Sequence, residues 1–228
     1  MSAGRGQIYT QTRERIAGMV RDLSPEELAR RLPATPAWSP KDVVAHLVGV
    51  VADITGGNLE GAGSESWTAA QVEARRDRSL DELLAEWAER AATVEAFLDQ
   101  APPDMSAILI SDCYAHEQDI RGGTGRPGAR DDDALFIALE FQIDNLAWRL
   151  KERGLPGLKL RAGDRVWATA PFGVGATVSA PDPFELLRCL HGRRSRAQLA
   201  ALEWDGDEPG RYFDAFTRFP PAAEDIAE

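Results

Sequence analysis

The sequence predicts an α-dominant α+β chain. An up-and-down bundle of four or five helices is expected over residues 1–154, followed by a small α+β region over 155–228. Three observations carry that prediction. Apolar residues recur at helical spacing through the first two thirds of the chain. Beyond Gly154 the pattern changes to short strand-like runs broken by Gly and Pro. Ser or Asp followed by Pro and an acid marks several helix starts.

The elements follow in order. Ile16, Met19, Val20 and Leu23 form one stripe of a first helix, expected from Ile8 to Leu23. Ser24, Pro25 and Glu27 open a short helix as N-cap, first-turn proline and capping-box acid. Ser39, Pro40 and Asp42 repeat that signal, with Trp38 and Val43 at hydrophobic-staple positions, so that His46 falls nearly two turns inside the helix. Ser79 and Glu82 open another, whose buried face is Leu80, Leu83, Leu84, Trp87, Ala91, Val94 and Leu98, and Pro102 and Pro103 end it. A helix from about Met105 to Arg121 is expected to stop at Gly122 and Gly123. The acids Asp131 to Asp133 suit the positive end of a helix carrying Leu135, Leu139, Ile143, Leu146 and Leu150, which Gly154 and Pro156 terminate. LKLRA, RVWATA and ATVSA then read as three strands, and the pairs Asp182/Glu185 and Ser195/Gln198 cap two more helices.

Composition narrows the function. The 228 residues are 43% hydrophobic, enough for a packed core, which disfavours disorder. With 37 acidic against 26 basic side chains, the net charge of −11 opposes attraction to nucleic-acid phosphates or anionic lipid. Cys113 and Cys189 lie far apart without CxxC spacing, which points away from a disulfide framework or zinc finger and toward a reducing cytoplasm. Neither a signal-peptide pattern nor a membrane-length apolar run is present, so no membrane association is expected.

His46, Asp112 and His116 are the candidate metal ligands. Residues four apart on a helix project from nearly the same face, so Asp112 and His116 can grip one ion, and His46 on another helix can complete the set across a bundle. Three protein ligands leave a position for water or substrate, as catalytic zinc requires, and the same set suits non-haem iron. Spacing alone is equally met by ordinary hydrogen-bonded histidines.

The segment TPAWSPKDVVAHL resembles the entry to the second bundle helix in the DinB-like, mycothiol-dependent maleylpyruvate isomerase family, where a Trp precedes the helix and an Ala-His-Leu step supplies a metal ligand. DCYAHEQDIRGGTGRPG resembles that family's second ligand segment, and GLPGLKLRAGDRVW and FELLRCLHGRRS extend the likeness over most of the chain. The resemblance implies a DinB-like bundle with a partial sterol-carrier-like C-terminal region, and a divalent metal, zinc foremost, on His46, Asp112 and His116. It departs at Asp112, where the isomerase carries Glu. The implied activity is metal-dependent use of mycothiol or a similar small thiol in S-transfer to, or isomerisation of, a small electrophile. Thiol-free hydrolysis by metal-bound water and a non-catalytic metal-binding module are the alternatives. A bundle surface also admits a homodimer.

Among other residues, Asp119 can orient a ligand from behind, although pairing with Arg121 is the more ordinary expectation. Arg193 and Arg194, with Arg196, can hold a carboxylate on the substrate or thiol cofactor, or form a solvated turn balanced by acids. Cys113 points about 100° away from Asp112 and is expected to pack rather than ligate.

Overall fold

The structure is a computed structural model describing residues 3–228. The chain forms two compact units, the first running through Arg126 and the second spanning Pro127–Glu228.

The first unit contains α1 (Arg5–Arg21), α2 (Pro25–Ala29), α3 (Pro40–Gly56), α4 (Glu65–Glu73), α5 (Leu80–Leu98) and α6 (Pro103–Thr124). Helices α1, α5, α3 and α6 pack pairwise in a ring, α1 on α5, α5 on α3, α3 on α6 and α6 on α1. Their stripes fill the centre with Ile16, Val20, Val44, Leu47, Val48, Leu83, Trp87, Val94, Ile110 and Tyr114, all buried. Each such side chain contributes about 1.5–3 kcal/mol through removal from water. The capping boxes at Ser24, Ser39 and Ser79 form with Glu27, Asp42 and Glu82 respectively.

Helix α3 sets the terms for the site. Val43 to Val51 are buried without interruption, because α2, α4, α5 and α6 all pack against this helix. A helix buried on every side is apolar all round, and any polar group within it needs a partner. His46 is the polar side chain in that run.

Helix α6 departs from the sequence expectation. It does not stop at Gly122 and Gly123 but runs to Thr124, and Gly125, at φ 66°, provides the left-handed C-cap. Gly123 has a different task. A Cβ there would overlap Leu32 Cδ2, so its bare backbone seats the loop that leads into α3.

The second unit contains α7 (Asp133–Glu152), β1 (Gly157–Ala162), β2 (Arg165–Ala168), β3 (Val174–Ala180), α8 (Pro183–Leu190), α9 (Arg196–Ala200), β4 (Glu203–Gly206) and α10 (Phe213–Phe216). The sheet order is β2-β1-β3-β4, with β1 and β3 parallel and both outer strands antiparallel. Helix α7 packs on α8, α10 and β1, and α8 on β3, closing a core of Leu139, Leu146, Leu158, Leu160, Val178, Leu186 and Leu187. The three strands read from sequence form; β4 joins them as a short strand after α9. Among the described residues no helix is long and apolar enough to cross a membrane.

Candidate metal centre

Three side chains of the first unit converge. Helix α3 presents His46, and α6 presents Asp112 and His116 one turn apart. One ligand atom from each lies within 4.8 Å of the others. His46 Nε2 is 3.6 Å from Asp112 Oδ2, and His116 Nε2 is 3.7 Å from Asp112 Oδ1. Those separations exceed a hydrogen bond of about 2.7–3.2 Å. They are near the roughly 3.4 Å between ligand atoms that each lie about 2.1 Å from a tetrahedral ion. The imidazoles are buried, while the Asp112 side chain is 34% exposed and forms the open side.

Both imidazoles are held from behind. His116 Nδ1 is 3.1 Å from Asp119 Oδ2, and Asp119 is buried on the same helix. His46 Nδ1 is 2.8 Å from Gln71 Oε1, and Gln71 Nε2 donates to Asp53 Oδ2 at 2.6 Å. Carboxylate and amide oxygens only accept hydrogen bonds. Each Nδ1 therefore carries a proton, and in the neutral ring, the form that binds a metal, each Nε2 keeps its lone pair on the side of Asp112. Fixing the tautomer of a ligating histidine in this way raises its basicity as a ligand. Two imidazole nitrogens and a carboxylate suit a borderline divalent ion such as zinc or iron.

The loop ahead of α3 supplies a wall. Leu32 N donates to Trp38 O, and Arg31 bonds both Ala37 O and Asp42, so the turn is tied at both ends. The Trp38 ring lies 4.9 Å from the His46 ring and 5.6 Å from the His116 ring. Its role reaches beyond the helix staple expected from sequence.

Helix α6 buries His116, Glu117, Gln118 and Asp119 in succession. Four neighbouring polar residues out of water are costly unless each is satisfied. Glu117 faces away from the histidines and accepts from Arg15 through Nε and Nη2, at 2.8 and 2.7 Å, and from Arg121 at 2.8 and 2.9 Å. The expected pairing of Asp119 with Arg121 is thus corrected: Arg121, four residues after Glu117, reaches that acid, and Asp119 turns to His116.

Cys113 is fully buried, and burial pushes its thiol well above the usual range, in keeping with a packing role. Arg193 and Arg194 belong to the second unit. Arg194 is buried and forked onto Glu185, with two bonds of 2.7 Å, and also faces Glu228. Arg193 bonds His191 O, the residue that ends α8. The structure does not bring Arg194 to solvent as the turn reading expected; its fork is occupied within the chain.

Gln71 and Asp53 are the site residues that the sequence reading missed. Gln71 lies on α4, which carries almost no apolar periodicity. A signal was nonetheless present: His46, Gly49 and Asp53 fall at i, i+3 and i+7 on one helix face.

Comparison with known proteins bears on the first unit and on the fold. Residues 9–112 match the family model described as the mycothiol maleylpyruvate isomerase N-terminal domain, a span that includes His46 and Asp112 and ends before His116. Two solved structures of the mycothiol-dependent maleylpyruvate isomerase share the fold. One is a histidine-to-alanine mutant, 12% identical with a TM-score of 0.60, covering 90% of this chain and 93% of that one. The other is 13% identical with a TM-score of 0.56 and the same coverage. No curated relative matches by sequence.

Proposed function

We propose, from the match of residues 9–112 to the mycothiol maleylpyruvate isomerase N-terminal domain model, that this chain is a metal-dependent enzyme acting with a small thiol. His46, Asp112 and His116 hold the ion, and the thiol, of the mycothiol kind, serves as cofactor or co-substrate in S-transfer to or isomerisation of a small electrophile. The observation that supports this reading best is the convergence of two back-bonded imidazoles on one carboxylate.

A divalent ion bound there supplies Lewis acidity, which favours thiolate over thiol at neutral pH. The chain's own groups do the rest. Asp53, through Gln71, and Asp119 keep the Nδ1 protons in place, so that both Nε2 atoms act as ligands rather than acids. Asp112 stands at the exposed side, where ligand and substrate enter. The Trp38 ring flanks both histidines and shields that side of the site from water. In an isomerisation, thiolate adds to one carbon of a conjugated double bond, the resulting single bond rotates, and expulsion of the same thiolate restores the double bond. Nothing is oxidised and the thiol is regenerated.

The test is the metal content of protein purified without added metal, followed by titration with thiol. About one divalent ion per chain, lost in Asp112→Ala and His46→Ala with helix content retained, is expected. A folded protein that neither retains nor takes up an ion overturns the reading. Turnover that persists without thiol replaces it with metal-assisted hydrolysis.

A further inference from the structure

We propose that Asp53, acting through Gln71, is the positioning element that fixes His46 in its Nδ1–H form and thereby sets metal affinity. The affinity half of this inference rests on the metal reading above; the tautomer half does not.

The relay is built around a missing side chain. His46, Gly49 and Asp53 line one face of α3, and α4 lays Gln71 across it. A Cβ on Gly49 would overlap Gln71 Cβ and sit 2.6 Å from its Cγ, so this approach requires glycine. Gln71 and His46 are 4% and 3% exposed, so their contact is closed to bulk water.

The direction of every hydrogen bond in the relay follows from Asp53. Its Oδ1 accepts from Asn58 Nδ2 at 2.9 Å and its Oδ2 from Gln71 Nε2 at 2.6 Å. An ionised carboxylate cannot donate, so the Gln71 amide has one permitted orientation, with Oε1 toward His46. Oε1 cannot donate either, so His46 Nδ1 must. In the neutral ring the lone pair is thereby left on Nε2, the atom that faces Asp112. The relay differs from the direct contact between His116 and Asp119, because a neutral amide separates the carboxylate from the ring.

Asp53→Asn tests this with almost no change of shape. The variant is made in an Asn58→Lys background, where position 58 can only donate and so holds Oδ1 of the new residue, turning its amide nitrogen toward Gln71. The Gln71 amide must flip to accept, presenting its own NH2 to His46 Nδ1. The proton moves to Nε2, where it blocks the lone pair. Asp53→Asn combined with Gln71→Glu restores the pattern. The new amide at position 53 then donates, and the new carboxylate at position 71 accepts both from it and from His46 Nδ1.

The experiment measures the ring nitrogen NMR shifts of His46 in metal-free protein, at a pH raised until the ring is neutral, and zinc affinity by competition with a chromophoric chelator. The wild type is expected as the Nδ1–H form, Asp53→Asn as the Nε2–H form with zinc affinity about tenfold to a hundredfold weaker, and the double variant as the Nδ1–H form with affinity recovered. An unchanged tautomer and affinity in Asp53→Asn, or no recovery in the double variant, overturns the inference. Wild-type protein in the Nδ1–H form that takes up no zinc supports the tautomer lock and overturns the metal reading, which separates the two.

Discussion

His116 Nδ1 and Asp119 Oδ2 lie 3.1 Å apart, one helical turn along α6 and on the side of the ring away from Asp112. The two histidines are therefore supported unequally: His116 leans on a buried carboxylate directly, and His46 on an amide backed by a half-buried one. A carboxylate in direct contact pushes more electron density into the ring, so His116 is the stronger donor of the two.

Removal of that carboxylate should weaken the ion's hold without dismantling the bundle. Asp119→Asn, which can still accept through its amide oxygen, is expected to lower zinc affinity about tenfold, and Asp119→Ala up to about a hundredfold. Chelator competition measures the loss, and far-UV circular dichroism checks that the helices remain.

Glu117 holds α1 and α6 together by accepting from Arg15 and Arg121 at once. Glu117→Ala leaves two guanidiniums facing an empty pocket. Breaking a fully buried pair costs about 3–5 kcal/mol; because Arg15 keeps access to solvent, about 2–3 kcal/mol is expected here. Urea denaturation of the variant gives the value. A loss below about 0.5 kcal/mol would mean that water compensates both cations.

Gly49→Ala should be destabilising although it improves helix propensity by about 1 kcal/mol. The new methyl group meets Gln71 at a distance that no real contact tolerates, and α4 must move. Overpacking of this kind costs about 1–3 kcal/mol, so a net loss is expected in thermal or urea unfolding.

Cys189 supplies a pH signature in the second unit. Burial, with Glu185 adding to it, raises its pKa from 9.0 to about 12. The folded state thus keeps a proton that the unfolded state releases, so stability is intact below pH 9 and declines between 9 and about 12. Cys189→Ser should flatten that alkaline decline in a plot of unfolding free energy against pH. In the native protein Cys189 should also resist alkylation at about pH 8, and react once denatured.

Much of this arrangement was legible in the chain because it is local. Ser39, Pro40 and Asp42 fix where α3 begins, which fixes the turn on which His46 falls, and the four-residue step from Asp112 to His116 fixes their common face. What escaped is what depends on packing between elements. The stripe of α7 tells that one face is buried but not against what, and in the structure it packs on α8, α10 and β1 rather than reading simply as one more bundle helix. Gln71 sits on a helix without an apolar stripe, and only the bare Gly49 opposite explains its position. The choice of Asp119 between Arg121 and His116 was decided by Glu117, which takes the arginine first.

Because the proposed donors come from α3 and α6, helices separated by two others in the chain, an ion gripped there doubles as a fastener for the whole bundle. Tight capture then shows up as heat resistance: at about a hundred times Kd, free ion adds about 2.7 kcal/mol to unfolding. The melting temperature of the apo and replenished protein becomes a gauge of occupancy that needs no substrate.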